Sequence, residues 1–295
     1  MNSWRWRPPS PPPRPPRPPS ERAPMSSRLF SNVLDVATLG KFPRTQKWVW
    51  RRIYNMLSRF WGDKDWRFMN YGYVPSGAPF ALKAEDEAER AFIGLYQQAV
   101  EGLAVEGARV LEVGSGRGGG SRYIARYHAP AAVTGLDYSP ETVRRAQKLN
   151  ADTPALSFVQ GDAENLPFPD AAFDIVVNIE SSHCYGDVPA FAREVARVLK
   201  PGGIFTFADM RPKSQLAALD EQLAAPGLEL IDKRNISENV VAALNAAEAR
   251  KQARIGKAFL LRRFMTEFSG SKGSVLYKAL TGGSVVYQAR RYRKT

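Results

Sequence analysis

The stretch "VLEVGSGRGGGSRYIARY", residues 110–127, decides the fold. An apolar strand pattern runs into a glycine-rich turn, and a helical pattern follows the turn. Gly114, Gly116 and Gly119 have the G-x-G-x-x-G spacing of a nucleotide-binding loop. Because glycine is needed wherever a backbone passes close to a ligand, the spacing predicts a nucleoside cofactor but does not distinguish a dinucleotide from another nucleoside.

Alternating strand and helix patterns continue outward from this loop. Strands are predicted at 108–114, 132–137, 156–162, 173–180, 204–210, 228–236 and 284–293. Strands that alternate with helices indicate an α/β fold with helices on both faces of the sheet. We therefore predict a Rossmann-like, doubly wound, seven-stranded and mostly parallel sheet with a C-terminal antiparallel strand, plus an N-terminal helical lid and a helical insertion.

Acidic residues end three successive predicted strands: Glu112, Asp137 and Asp162. A carboxylate at Glu112 would repel a diphosphate but suits a cation, and S-adenosylmethionine (SAM) carries a sulfonium and an ammonium. Each acid alone could be a helix N-cap, but together the three favour SAM. The predicted cofactor-binding residues are Glu112, Gly114, Ser115, Gly116, Gly118, Asp137, Tyr138, Asp162, Ala163 and Asn178.

The fourth strand is expected to end in "NIESSHCY", residues 178–185, at the carboxyl edge where open α/β sheets bind ligands. Two residues there are candidate catalytic groups. His183 could accept the proton of a hydroxyl near neutral pH. Glu180 could instead stabilise a carbocation or remove a proton from carbon. Cys184 is interpreted as a small apolar residue, not a nucleophile.

Composition limits the other functions. The chain has 295 residues and a net charge of +13, yet residues 68–249 carry 24 acidic and only 16 basic groups, so the basicity belongs to the two ends. An acidic centre argues against a nucleic-acid groove. One cysteine excludes an intramolecular disulfide, and with only two histidines we predict no metal site.

Three regions follow from the composition. Residues 1–26 are predicted to be a disordered Pro/Arg-rich tail, and residues 27–82 an aromatic and basic helical lid. Residues 83–295 are predicted to form the catalytic domain, with a helical cap at about 237–280. We expect a cytoplasmic protein whose residues 48–71 could touch the inner face of a membrane peripherally.

The motifs resemble those of class I SAM-dependent methyltransferases. They are "LEVGSGRGGG" (111–120), "GLDYSP" (135–140), "GDAENLPFPDAAFDIVV" (161–177) and "VLKPGGIFTFADM" (198–210). A narrower resemblance, to the mycobacterial phthiotriol/phenolphthiotriol dimycocerosates methyltransferase family, runs from about residue 48 to the C-terminus through "WRRIYNMLSRFWG", "NIESSHCYGD" and "GSVLYKALTGGSVVYQARRYRKT". That resemblance implies O-methylation of a hydroxyl on a long polyketide-derived lipid.

Four functions remain to be compared. We expect a SAM-dependent O-methyltransferase that acts on a hydrophobic lipid or polyketide-type hydroxyl. The alternative is a SAM-dependent C-methyltransferase that acts on a prenyl, sterol or quinone acceptor. RNA methylation is disfavoured by the acidic centre, and a non-catalytic SAM-binding scaffold by the intact loop and acids. Nothing in the sequence determines the oligomeric state.

Overall fold

The computed structural model describes residues 67–256, 265–267 and 269–295. Seven strands form one sheet in the order β3-β2-β1-β4-β5-β7-β6. Their bounds are β1 Arg109–Val113, β2 Ala132–Asp137, β3 Leu156–Gln160, β4 Phe173–Ile179, β5 Leu199–Pro212, β6 Leu228–Asn235 and β7 Val285–Lys294. Strands β1 to β5 pair in parallel, and β7 runs antiparallel to both β5 and β6. The predicted fold class is confirmed.

The helices lie between the strands and in the C-terminal insertion. They are α1 Arg90–Val100, α2 Gly119–Tyr127, α3 Pro140–Leu149, α4 Val188–Val198, α5 Leu216–Leu223, α6 Ser237–Ala246, α7 Glu248–Gly256 and α8 Val275–Thr281. Short 3-10 turns cover Ala84–Glu89, Ser182–Cys184 and Lys213–Gln215.

Side chains alternate between the two faces of the sheet, as the two-residue period of a strand requires. Val110 belongs to the core cluster under α1 and α2, whereas Leu111 belongs to the cluster under α4 and α5. On β4, Ile175 and Val177 share the first cluster and Val176 the second. Both faces are therefore covered, which explains the continuous apolar runs in these strands.

The strand order reverses between β1 and β4, because β2 and β3 lie on one side of β1 and β5 on the other. Helix α2 leads from β1 to β2 on one face, and α4 leads from β4 to β5 on the opposite face. Open α/β sheets bind their ligands in the crevice that this reversal leaves at the carboxyl ends of the strands. The candidate site is expected at this edge.

The described part of the predicted lid, residues 67–82, contains no helix, so the prediction of a helical lid is wrong for those residues. The segment has no regular secondary structure, and its residues 67–70 line the cleft at the carboxyl edge of the sheet. Asn70 donates to the carbonyl of Phe92 (3.2 Å), and the amide of Tyr73 donates to the carbonyl of Ala91 (2.8 Å). These bonds fix the segment to helix α1 and bring it over the glycine loop.

Several predictions concern residues outside the described ranges. The tail at 1–26, the lid at 27–66 and part of the cap at 257–264 are not described. Of the proposed membrane-contact residues 48–71 only 67–71 are described, and there Phe68 is 6 % exposed and packs against Phe92 and Tyr96. Among the described helices, none has the length and apolar character that a membrane-spanning segment needs.

Candidate active site

A cleft of about 990 Å³ opens at the carboxyl ends of β1 to β4. The glycine loop forms its floor, and the segment after β4 forms one side. The segment at 67–70 and Tyr96 of α1 complete the wall. The predicted residues that line it are Gly114, Ser115, Gly116, Asp137, Tyr138, Asp162, Ala163 and Glu180. Gly118, Glu112, Asn178 and His183 lie next to the cleft without lining it.

Three glycines of the loop take the left-handed conformation: Gly114, Gly116 (φ +53°) and Gly118. At the first and the last of them a neighbouring side chain also occupies the space that a Cβ atom would need. Gly114 has φ +77°, and a Cβ atom there would lie 2.4 Å from the side chain of Ser181. Gly118 has φ +80°, caps α2, and a Cβ there would lie 2.2 Å from Phe158. A side chain at either position would be strained by the backbone and blocked by a neighbour. The loop can therefore lie close to a ligand only with glycine at these positions.

Asp137 lies at the end of β2 and lines the cleft. Its carboxylate accepts hydrogen bonds from the amides of Gly116 (3.0 Å) and Ser139 (2.9 Å). Ser139 also caps α3 by accepting a hydrogen bond from the amide of Thr142 (3.1 Å). Burial raises the pKa of Asp137 to about 6, while the two amide bonds oppose that rise. The same acid thus shapes the glycine loop and faces the cleft.

Glu112 is not in the cleft, although it was predicted to face the cofactor. It is 0 % exposed, and its two oxygens accept hydrogen bonds from Tyr96 (2.7 Å) and from the hydroxyl of Ser121. Glu112 shares the strand face of Val110, the side on which α1 and α2 pack, so its side chain points beneath the loop. Burial raises its pKa to about 7. Glu112 is linked to the cleft only indirectly, by its hydrogen bond with Tyr96, which lines the cleft.

Asn178 is also behind the cleft wall. Its side-chain nitrogen lies 2.9 Å from the carbonyl of Val113, 2.7 Å from Ser181 and 2.8 Å from the hydroxyl of Tyr185. It therefore joins the end of β1 to the segment that follows β4. Because Ser181 and Tyr185 line the cleft, Asn178 acts on the cleft through them.

The residues present fit SAM. The hydroxyl of Ser115 lines the cleft and is buried without a hydrogen-bond partner among the described residues, as expected of a group that awaits a ligand. Asp137 and Asp162 suit the hydroxyl and amino groups of a nucleoside. Arg67 and Arg117, which the sequence analysis did not predict, line the same cleft and suit a carboxylate.

His183 belongs to a hydrogen-bonded pair at the end of β4. Its Nδ1 lies 2.9 Å from Oδ1 of Asp209, and its backbone amide donates to Oδ2 of Asp209 (3.0 Å). Asp209 is 1 % exposed; it also accepts a hydrogen bond from Ser182 (2.6 Å) and forms an ion pair with Arg211 (3.1 Å). The carboxylate is thus fully satisfied, and it fixes the imidazole ring in one orientation.

Charge controls the protonation of this pair. Burial alone would lower the pKa of His183, but the Cys184 thiol and the Asp209 carboxylate raise it well above 6.5. Burial would raise the pKa of Asp209, but His183 and Arg211 hold it far below its ordinary value. Asp209 therefore stays ionised, and His183 is a stronger base than a free imidazole.

Glu180 is held by three elements. Its amide donates to Ala208 of β5 (2.8 Å), and its Oε1 accepts hydrogen bonds from the amide of Tyr71 (2.8 Å) and the hydroxyl of Tyr287 on β7 (2.7 Å). Its φ of +47° is left-handed, which is unusual for a residue with a side chain. Burial raises its pKa to about 8, and the two hydrogen bonds oppose that rise.

Comparison with known proteins identifies the family. The family model described as "Methyltransferase domain" matches residues 111–207. The phthiotriol/phenolphthiotriol dimycocerosates methyltransferase of Mycobacterium tuberculosis (strain ATCC 25618 / H37Rv) is 39% identical over 255 residues, which cover 85% of this chain and 93% of that protein. The chain belongs to this methyltransferase family. It is an enzyme that transfers a methyl group, and SAM is its cofactor.

A second relative is also a methyltransferase, and a solved structure has a similar fold. The fatty-acid O-methyltransferase of Mycolicibacterium smegmatis is 43% identical over 192 residues, which cover 64% of this chain and 69% of that protein. The crystal structure of the [4+2]-cyclase SpnF has a TM-score of 0.65 at 22% identity and covers 82% of this chain and 94% of its own. At that identity the SpnF similarity concerns the fold alone.

Proposed function

We propose that this methyltransferase transfers the methyl group of SAM to a hydroxyl oxygen of a hydrophobic lipid or polyketide-type molecule. The single observation that carries the proposal is the His183–Asp209 pair beside the cleft. A hydroxyl must lose its proton as its oxygen is methylated, and an imidazole fixed by a buried carboxylate is suited to accept that proton.

Proton transfer and SAM binding are assigned to different residues of the site. Asp209 accepts the Nδ1 proton of His183, so Nε2 is the ring nitrogen that would take the hydroxyl proton. SAM, when bound, supplies a methyl group on a positively charged sulfur that leaves as a neutral thioether. The loop around Gly114, together with Asp137 and Asp162, would hold SAM, so that the chain's main contribution is alignment of the two reactants and exclusion of water.

The hydrophobic character of the acceptor is supported by two observations. Phe68, Met69 and Ile179 line the cleft beside the polar groups. The relatives are named for methylation of phthiotriol dimycocerosates and of fatty acids, both of which are lipids. We also propose that the protein acts in the cytoplasm, with peripheral contact to the inner membrane face through residues 48–71.

Methylation of carbon is not favoured. That reaction would use Glu180 as a charged base or as an anion that stabilises a carbocation. Burial raises the pKa of Glu180 to about 8, which disfavours at neutral pH the charged form that either role needs. The ionised acid of the site is Asp209, whose contacts are with His183, Ser182 and Arg211.

The proposal predicts how the rate depends on pH. With a long-chain secondary alcohol as probe acceptor, kcat should rise with pH, with a midpoint above 6.5, because only neutral His183 accepts a proton. Asp209→Asn removes the charge that favours the imidazolium, so the midpoint should move to lower pH and kcat should fall. The measurement is the pH–rate profile of both proteins.

Ser182→Ala provides the matched control, since it removes one neutral hydrogen bond to the same carboxylate without changing its charge. Its midpoint should stay near that of the unchanged protein. A profile that does not depend on pH, or a midpoint that Asp209→Asn leaves in place, would contradict a catalytic role for the pair.

A further inference from the structure

The second carboxyl oxygen of Glu180, Oε2, takes no part in the proton transfer at His183. The Oε1 atom of Glu180 accepts two hydrogen bonds, from the amide of Tyr71 and from the hydroxyl of Tyr287. Within residues 67–256, 265–267 and 269–295 no donor or acceptor is bound to Oε2. Because Glu180 lines the cleft, Oε2 is the oxygen available to a bound molecule.

The backbone at Glu180 supports a functional reading. A left-handed φ in a residue with a side chain is strained and persists only where the surroundings enforce it. Here the amide of Glu180 is bound to β5, and the carboxyl is bound to β7 and to the segment at 67–71. Three separate elements thus hold one carboxyl at the wall of the cleft.

Burial raises the pKa of Glu180 to about 8, so at neutral pH the carboxyl carries a proton. The charged groups near it are Asp209 on β5, which adds to this rise, and His183, which opposes it. Tyr287 on β7 and Tyr96 on α1 also face it, and burial raises the pKa of both phenols, so they stay neutral. With Oε1 occupied as an acceptor, the proton resides on Oε2.

We propose that Glu180 is a specificity-determining residue whose protonated carboxyl donates a hydrogen bond from Oε2 to a second oxygen of the acceptor, close to the oxygen that receives the methyl group. This inference rests on the proposed function and adds to it a class of substrate: a hydrophobic molecule with two neighbouring oxygens. A simple long-chain alcohol leaves the donor without its partner, and a group buried without a partner weakens binding.

The test compares two probe acceptors of equal chain length, a β-hydroxy ketone and a secondary alcohol. The unchanged protein should prefer the hydroxy ketone by about tenfold in kcat/KM at pH 7, the effect of one net hydrogen bond. The preference should vanish above about pH 8, because the ionised carboxylate repels the ketone oxygen. Any effect of His183 on the rate is common to both acceptors and cancels in the ratio.

Two variants separate this role from a structural one. Glu180→Gln places an amide N–H where the proton was, with the amide oxygen still able to accept from Tyr71 and Tyr287, so its preference should persist above pH 8. Glu180→Ala should show no preference at either pH. Glu164→Gln is the matched control, because Glu164 also accepts two amide hydrogen bonds at Oε1, from Gly186 and Asp187. Its ratio should change with pH as in the unchanged protein.

The outcomes are distinguishable. Equal methylation of both acceptors at pH 7, or a preference in the unchanged protein that survives above pH 8, would overturn the inference and leave the proposed function standing. Loss of the preference in Glu180→Gln would also overturn it. The absence of a methyl ether from both acceptors would overturn the proposed function and this inference with it.

Discussion

Replacing His183 with glutamine should lower kcat by about 10²- to 10⁴-fold, the contribution typical of a general base. SAM affinity should stay close to that of the unchanged protein, because His183 does not line the cleft of the glycine loop. Glutamine can still donate to Asp209, so the buried carboxylate keeps a partner and the turn at Ser182–Cys184 is preserved. Turnover with labelled SAM and calorimetric titration of SAM measure the two effects.

The control for this variant is His128→Gln. His128 is the chain's other histidine; it caps the end of α2 and its ring packs against Tyr123. Its replacement should leave kcat unchanged. If His183→Gln retained full turnover, or lost turnover only in proportion to lost SAM affinity, the assignment of His183 as the base would be wrong.

Replacing Gly114 with alanine should weaken SAM binding by about 100-fold. The added Cβ would lie 2.4 Å from Ser181, and the left-handed φ of +77° adds strain. Overpacking costs about 1–3 kcal/mol and a left-handed residue about 1–2 kcal/mol. The loop would move to relieve the clash and the strain. Because SAM binding would then require the original loop conformation to be restored, the affinity for SAM should fall. Calorimetric titration gives the affinity directly.

Gly107→Ala is a matched control for this strain. Gly107 has φ +70°, nearly that of Gly114, but no atom lies within 4 Å of the position that its Cβ would take. The backbone strain in Gly107→Ala should lower the free energy of unfolding about as much as the backbone strain in Gly114→Ala does, while SAM affinity stays unchanged. Equal affinity for SAM in both variants would contradict the role given to the Gly114 contact.

Sequence reasoning worked where the deciding residues are neighbours in the chain. The glycine loop and the acids at Asp137 and Asp162 each depend on a few consecutive residues, and all lie at the predicted edge. The alternation of strands and helices was enough to predict the sheet, since parallel strands need helical crossovers. Family motifs in the same stretch predicted the methyltransferase.

Sequence reasoning failed where a residue's contacts depend on the face of the sheet to which its side chain points, or on the strand that pairs with its own. Glu112 was expected to face SAM, but the pleat of β1 directs it toward Tyr96 and Ser121. Asp209 was missed because its link to His183 spans 26 residues and follows from the pairing of Ile179 with Ala208. The only local signal was an acid inside the apolar strand "IFTFADM".

The contribution of the segment at 67–71 was likewise not predictable in detail. It was included in the predicted helical lid at 27–82, yet Tyr71 and Asn70 lie outside any helix and are bound to Glu180 and to α1. These partners lie 109 and 22 residues away, and their hydrogen bonds override the local preference. Tertiary contacts of this kind determine which wall of the cleft the segment forms.

The most direct measurement uses SAM with a ¹³C-labelled methyl group, a lipid extract of the source organism and NMR spectroscopy of the labelled products. A carbon attached to an ether oxygen, an ester oxygen or another carbon gives a distinct signal, so the spectrum identifies the acceptor atom. The account predicts a methyl ether on a lipid that carries a hydroxyl, and a product that resists alkaline hydrolysis. A label bonded to carbon, or one released by alkali as from a methyl ester, would contradict it.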